Sequence, residues 1–585
     1  MQFRQAIITI DGQTHLLTPG KSNSFDAFFA DVQANPIWGE HIQKEGMQYV
    51  VFLHPKQDVV VQCLEIQFDT PFSAVARFFA NGFSSWSESH WLPLNAQMPR
   101  LRRVGQQYYG YEGDERFSSI PAGKGRLHSW SYTVLSEGPE ICTLLGSLNE
   151  RTGFTLFLYD HARGVLTVRK DLENLSLSHS FPALDVAIFN GKEEDVYAAW
   201  FQMMGRNDKA TTRSVAKGWT SEGHKPLSDA VLQENLDAFA ETLQHGSEHE
   251  NGPATNFFLI ADGWQQSAGD WLSVQPGITA DLGKWAWEIK QKGLIPAIWL
   301  APFVAATSSD IVKKHPDWLL KDVKNKPIRA GRSRQDGAWM YALDFYHSSV
   351  QSWLAGVFHM LSEKWQFEQF HLDYLYAACL APPSGKTRGQ VMHDALLFLK
   401  ELLGGKRLVA AAVPLGTALE LADVCRLGRS EAPVWEDRLS VWLRRRQRPG
   451  ALATLRNVLH HWRMQGIWID PGPCYLGIQH KKLTPFQQQT VLIVNVLLGN
   501  MLYTSDALKQ WISEEMTEYT EAMALCDSRV QSVSELETDL FAIHFEHRGD
   551  RFTAYCNLSG QKRRIPLMEL EAYETIVLGN TDFAE

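Results

Sequence analysis

The chain has 585 residues, 44% of them hydrophobic and 21% charged, with a formal net charge of -10. That composition fits a folded, water-compatible protein and argues against a disordered or low-complexity chain. The negative balance argues against general electrostatic binding to nucleic acid or to an anionic membrane surface.

Taken in chain order, residues 1–12 have no basic stretch followed by an apolar run of signal-peptide length. No segment approaches the roughly 20 apolar residues of a membrane helix. The 7 Cys are scattered, odd in number and lack a CxxC pair, which points to a reducing, cytoplasmic setting and away from a zinc site. Residues 1–205 carry short alternating segments, such as 48–53, 59–67 and 155–159, broken by Gly, Pro and Asn. Period-two patterning with frequent turn signals predicts a large antiparallel β-sandwich over this region.

Over 206–525 the rhythm changes. Short apolar runs at 217–220, 256–262, 295–301, 367–375, 407–414, 423–428, 466–470 and 501–505 read as buried strands. Amphipathic stretches at 227–243, 280–292, 349–365, 388–403 and 452–464 read as helices between them. Eight buried strands with helical crossovers predict a (β/α)8 TIM barrel. An open doubly wound sheet is the competitor, and neither GxGxxG nor a P-loop is present to favour a nucleotide-binding version. Alternation returns over 526–585, at 540–546, 552–557 and 572–578, and predicts a small C-terminal β-sandwich.

Barrel active sites form at the C-terminal ends of the strands. The predicted strands deliver Asp262, Trp299, Asp373, Asp423 with Arg426, Trp468 with Asp470, and Asp506. Paired carboxylates suit glycosidic cleavage, in which one attacks the anomeric carbon and another protonates the leaving oxygen. Tryptophan, of which the chain has 20, offers a flat apolar face to a sugar ring, although large cores also bury many. An Asp at a strand end often only caps the next helix, but Asp373 stands between apolar residues in the middle of the barrel order. His460-His461 read as a helix surface, and Arg444-Arg445-Arg446 as a solvated loop. No HExxH or GxSxG motif is present.

Five segments carry a resemblance to glycoside hydrolase family 36, the compact bacterial α-galactosidases of clan D. They are Ile298-Trp299-Leu300-Ala301-Pro302-Phe303, His315-Pro316-Asp317-Trp318, Tyr341-Ala342-Leu343-Asp344, Leu372-Asp373-Tyr374-Leu375-Tyr376-Ala377, and Arg426-Leu427-Gly428 followed by Ala432-Pro433-Val434-Trp435. The resemblance implies an N-terminal β-supersandwich, a catalytic barrel and a C-terminal β-sandwich. It implies a retaining double displacement on short soluble oligosaccharides, with no metal or organic cofactor. It makes Asp373 the nucleophile, Asp262 a hydroxyl-binding carboxylate, Trp299 a ring-packing wall and Arg426 a substrate ligand. Trp86, in Phe83-Ser84-Ser85-Trp86, resembles a Trp lent to the pocket by the N-terminal region.

Several positions depart from the family pattern. Ser430 stands where the family has its acid/base Asp, and a hydroxyl is too weak an acid for that role. Glu431 is the expected replacement, with Asp423 and Asp470 as fallbacks. Ala261 replaces the first of two paired Asp, Glu222 a Trp, and His371 a Lys; Ala410-Ala411-Ala412-Val413 replaces a Cys-Gly-Ser segment. These positions shape the sugar pocket, so Glu222 and His371 are expected substrate contacts. Two further readings stay open: a non-catalytic sugar-binding or sensing protein that has lost its acid, and a transglycosylase sharing the same covalent intermediate. Arg329, Arg332, Arg334 and Arg429 raise the subsidiary expectation of an anionic sugar.

Overall fold

The structure, a computed structural model, describes residues 1–37, 46–70, 72–73, 75–85, 87–98, 114–172, 174–206, 215–224, 226–246, 256–428, 434–436, 450–464, 468–477 and 482–579. Two antiparallel sheets make up the N-terminal part. One is centred on Gln2–Ile10 and Val59–Asp69, which pair with Ala6 opposite Ile66 and Ile8 opposite Leu64. The other is centred on Phe28–Ile37, Gly46–Pro55 and Phe181–Gly191. Alternate residues point inward from both: Ala6, Ile8 and Ile66 from one sheet meet Val32, Val51 and Leu53 from the other in a single core.

Eight parallel strands follow: Ala216–Thr220, Phe257–Ile260, Ile295–Leu300, Gln369–Leu372, Arg407–Ala410, Val424–Arg426, Trp468–Asp470 and Met501–Thr504. Each of the first six pairs with the next in chain order, and the eighth pairs with the first. The seventh and eighth close the ring through Asn500 N–H to the Ile469 carbonyl (2.9 Å) and Cys474 N–H to the Tyr503 carbonyl (2.7 Å). Inside, Gly218 makes room for an aromatic ring: a Cβ there would lie 2.4 Å from Phe257 Cζ. The Phe257 ring then packs against Tyr503 and His371.

The helices end where local chemistry ends them. Arg388–Leu403 opens on a capping box of Thr387 with Gln390 and closes on Gly404 at φ 56°. Two crossover helices, Leu415–Leu421 and Pro485–Leu498, fall outside the five amphipathic stretches read from the sequence. Among the described residues, no helix is long and apolar enough to cross a membrane.

The third and fourth strands are separated by an unpredicted three-stranded antiparallel insertion: Val304–Ala306, Arg329–Arg332 and Trp339–Ala342. A four-stranded sheet ends the chain, from Arg529–Glu537 to Thr575–Gly579. Within it, Phe541, Ile543 and Phe545 join the barrel core, while Leu540 and Ala542 turn to Ile565 and Leu570 on the other face.

One expectation is corrected here. His460 and His461, at the end of helix Ala451–His460, are not a helix surface but 8% and 3% exposed. The N-terminal part covers them: His460 Nδ1 meets the Ser89 carbonyl at 2.9 Å and His461 Nε2 meets Asn81 Oδ1 at 2.9 Å.

Candidate active site

Parallel pairing sets the strand ends at one level, so side chains distant in sequence share a rim. Asp373 follows the fourth strand, and its N–H donates to the Leu300 carbonyl at 2.9 Å, extending the ladder one step. Tyr374 turns sharply at φ 53°. Its N–H donates to Asp373 Oδ1 at 2.7 Å. The Asp373 side chain is thus fixed in a site where the residue is only 4% exposed. Its second oxygen, Oδ2, lies 4.0 Å from Arg334 Nη2.

Arg334 projects from the turn between Arg329–Arg332 and Trp339–Ala342. Its Nη1 is 3.1 Å from Glu222 Oε1, on the loop after the first strand. Glu222 Oε2 is 3.6 Å from Arg426 Nη2, at the end of the sixth strand. Arg426 Nε is 4.0 Å from Asp470 Oδ2, at the end of the seventh. From the eighth strand, Tyr503 Oη donates to the Asp470 carboxylate (2.9 and 3.1 Å), and Gly472 N–H adds a bond of 2.8 Å. Charges of alternating sign therefore run across the rim: Asp373, Arg334, Glu222, Arg426, Asp470.

Burial shapes the electrostatics. It pushes the Asp470 carboxyl above its ordinary range, with Arg426 opposing. It works against the Arg426 charge too, but Tyr503, Asp470, Glu222 and Asp373 more than offset that and hold the guanidinium charged. Among the described residues, Nε and Nη2 of Arg426 are buried without a hydrogen-bond partner. A small chamber beside them is lined by Ser84, Ser85, Asn457 and His461. His371 lies in the barrel interior, with Nε2 2.9 Å from Gln369 Nε2. Burial, followed by Arg426 and Arg407, holds its pKa well below the ordinary value and keeps the ring neutral.

The structure thus gathers Asp373, Glu222 and Arg426 into one charged chain, with His371 in the barrel interior. Asp262 and Trp299 end the second and third strands on the same rim. Asp262 Oδ1 accepts from Gln265 Nε2 at 2.6 Å. The Trp299 carbonyl accepts from Trp264 Nε1 at 2.9 Å, and its ring stands 6.0 Å from that of Trp271. Trp86, Arg429, Ser430, Glu431 and the basic run at 444–446 lie outside the described residues. Next to Trp86, Ser85 Oγ accepts from Ala412 N–H at 3.0 Å, so this N-terminal loop reaches the rim.

Asp423 is corrected as a fallback acid. It precedes the sixth strand rather than ending it, so it sits at the opposite mouth of the barrel, where Oδ2 accepts from Leu408 N–H at 2.8 Å. Asp506 is scaffolding: Oδ2 accepts from Leu476 and Gly477 N–H and from Trp511 Nε1. Arg329 and Arg332 stack on the Trp339 ring, 4.5 and 4.1 Å from its centre. The sequence singles out Arg334 only as a candidate ligand of an anionic sugar, not as a neighbour of Asp373, and does not single out Tyr503 as the support of Asp470. Neither stands in a local motif, because their partners come from other strands. Among the described residues, no group of three or more His, Cys, Asp or Glu is arranged to hold a metal ion.

The chain is similar to known proteins. A family model described as Melibiase matches residues 207–378. The curated "Alpha-galactosidase AgaA" of Geobacillus stearothermophilus is 30% identical over 159 residues, 25% of this chain and 20% of that protein. "Alpha-galactosidase 2" of Pediococcus pentosaceus is 23% identical over 204 residues, 32% of this chain and 26% of that protein. These matches therefore span 20% and 26% of the length of the curated relatives. Solved structures align far more widely. The α-galactosidase TtGalA from Thermus thermophilus, in complex with p-nitrophenyl α-D-galactopyranoside, superposes with TM-score 0.64 at 24% identity, over 87% of this chain and 98% of that one. The family 36 α-galactosidase AgaA from Geobacillus stearothermophilus superposes with TM-score 0.61 at 12% identity, over 98% and 87%. At these identities, the structural likeness is one of fold.

Proposed function

We propose that this chain belongs to glycoside hydrolase family 36 and is a retaining α-glycosidase that removes terminal α-linked sugars of the galactose type from short soluble oligosaccharides. Asp373 attacks the anomeric carbon, and the bond to the leaving oxygen breaks as that oxygen takes a proton from Glu431. Water, deprotonated by the same Glu431, then releases the sugar from Asp373. Trp299 and Trp86 pack on the ring, Asp262 and Arg426 bind hydroxyls, and Glu222 and His371 shape a pocket that differs from the family pattern.

The observation that carries this is the setting of Asp373. One carboxylate oxygen is tied to Tyr374 N–H while the other faces the charged chain, at the centre of a rim built from distant strands. Such fixation holds a nucleophile in one attack geometry. The relatives' names supply the sugar class: they are α-galactosidases, and TtGalA is also described in complex with stachyose.

The test is release of phenol from a panel of aryl α-glycosides: the galactoside, the N-acetylgalactosaminide, the glucoside and a uronide. Turnover by wild type and its loss in Asp373→Asn, with the fold retained, is the expected result. Turnover that survives Asp373→Asn overturns the assignment. Ser430 favours a second reading, a sugar-binding protein without an acid; binding of galactose with silence across the whole panel is its signature. Transglycosylation shares the covalent intermediate and is separated by product analysis at high acceptor concentration.

A further inference from the structure

We propose that Glu222 is a positioning and specificity-determining residue: it holds Arg334 and Arg426 and keeps the Arg334 charge from closing on Asp373, which must give up its own charge to form the ester. This rests on the glycosidase reading above and deepens it.

The five charged groups of the rim are not equivalent. Arg334 lies between Glu222 and Asp373, and Arg426 between Glu222 and Asp470. Glu222 is the member flanked by a guanidinium on each side, at 3.1 and 3.6 Å. It comes from the first strand's loop, where its N–H donates to Thr220 Oγ1 at 3.2 Å. Arg334 and Arg426 come from the insertion and the sixth strand, so one carboxylate joins three separate parts of the rim.

In the free site, three carboxylates (Asp373, Glu222, Asp470) face two guanidiniums. When Asp373 forms its ester to the anomeric carbon it loses its charge, and the leaving oxygen takes a proton from the acid, which becomes a carboxylate, so the total charge of the site is conserved. What Glu222 governs is the availability of Asp373. It holds Arg334 Nη1 at 3.1 Å, while Arg334 Nη2 stands 4.0 Å from Asp373 Oδ2. Without Glu222, Arg334 can close on Asp373 and stabilise the carboxylate charge that ester formation must remove, so loss of Glu222 selectively raises the barrier to forming the intermediate. The same pair sets specificity. Where the family resemblance implies an indole, this chain presents an ion pair, which favours a hydrogen-bonding substituent over an apolar one.

The experiment compares wild type, Glu222→Gln, Glu222→Asp, Glu222→Trp and Glu222→Gln/Arg334→Met on the aryl α-glycoside that wild type cleaves. Pre-steady-state kinetics separate formation of the intermediate from its hydrolysis. Glu222→Gln keeps shape and removes charge; formation should slow roughly 10- to 100-fold, while hydrolysis of the intermediate changes far less. Glu222→Asp should recover part of the loss. Adding Arg334→Met should cost less in the Glu222→Gln background than in wild type, because the partners act together. Glu222→Trp should reorder the sugars of the panel. Thermal unfolding of each variant reports on the fold. Formation unchanged in Glu222→Gln, or both steps falling equally with the melting temperature and without rescue by Asp, overturns the proposal. A wild type that turns over no glycoside overturns the glycosidase reading instead.

Discussion

Tyr374 Oη donates a 3.0 Å hydrogen bond to the carbonyl of Arg332, so the residue that follows Asp373 also holds the strand from which Arg334 projects. The contact is close: a Cβ on Gly331 would stand 2.7 Å from Tyr374 Cε1. Tyr376 Oη donates to the Ala330 carbonyl as well. The insertion and the nucleophile turn are therefore bolted together at two points. Tyr374→Phe keeps the ring and removes one bolt. We expect kcat/KM to fall about 3- to 10-fold, the kinetic equivalent of one hydrogen bond, with little change in melting temperature. An unchanged kcat/KM would show that the insertion is held without it.

Glu431→Gln should be sensitive to the leaving group. An aryl glycoside whose phenol is already a good leaving group needs little protonation, so its cleavage should persist, while cleavage of glycosides with a poor leaving group should fall by about a hundredfold or more. Asp423→Asn is the matched control. Because Asp423 lies at the opposite mouth of the barrel, it should keep kcat within about twofold, a change worth under 1 kcal/mol. Equal losses in the two variants would remove Glu431 from the mechanism.

Stability should fall in mild acid. Burial is the main cause holding His90 at about 4, His460 at about 3 and His461 at about 4, against an ordinary 6.5. The folded state keeps these rings neutral, while the unfolded chain takes up protons as pH drops below 6.5. Their contribution is thus fully present above 6.5 and is lost as pH falls toward 4, and toward 3 for His460. Each ring adds a slope of about 1.4 kcal/mol per pH unit in that window. Urea unfolding at pH 7 and pH 5 should show a smaller difference for His460→Gln than for wild type. An identical difference would refute the assignment of that slope.

Arg456 should be among the most costly single truncations outside the rim. Its guanidinium forms paired 2.8 Å bonds to Asp539 of the C-terminal sheet and a 2.6 Å bond to Glu88 of the N-terminal part. The Glu88 side chain is 4% exposed. Burial already pushes the Glu88 pKa up, with Arg456 opposing. Arg456→Met strands that carboxylate, and we expect a loss of about 3–5 kcal/mol. A loss below about 1 kcal/mol, the value typical of an exposed pair, would mean that the three parts do not depend on this residue.

Much of the barrel was legible because buried strands write apolar runs and capped helices write their own ends. Arg388–Leu403 was read to the residue, since Thr387, Gln390 and Gly404 all stand in the sequence. Val424–Arg426 shows the limit. An apolar run does not reveal which of its flanking polar residues begins the strand, so Asp423 and Arg426 were placed at one mouth when they belong to opposite ones. Arg529–Glu537 escaped notice because its residues stay partly or fully exposed and carry no apolar alternation. His460 and His461 were misjudged because their cover comes from residues 81–90, hundreds of positions away. Asp373 could be found by its place in the barrel order. Arg334 beside it could not, because its partner Glu222 lies 112 residues earlier.

The docking of residues 81–90 has a consequence for how the protein is made. Ser89 N–H donates to Asn457 Oδ1, 368 residues further on. Asn457 Nδ2 in turn bonds the carbonyls of Ser87 and of Leu427, next to Arg426. At about 5–20 residues per second of synthesis, the N-terminal loop waits about 20–70 s for the helix that seats it. Until then, the polar edge of a finished sandwich stays open to water, and the pocket has no wall on that side. The loop can therefore take its seat only after Asn457 has been made, and a chain truncated before Asn457 would lack that seat.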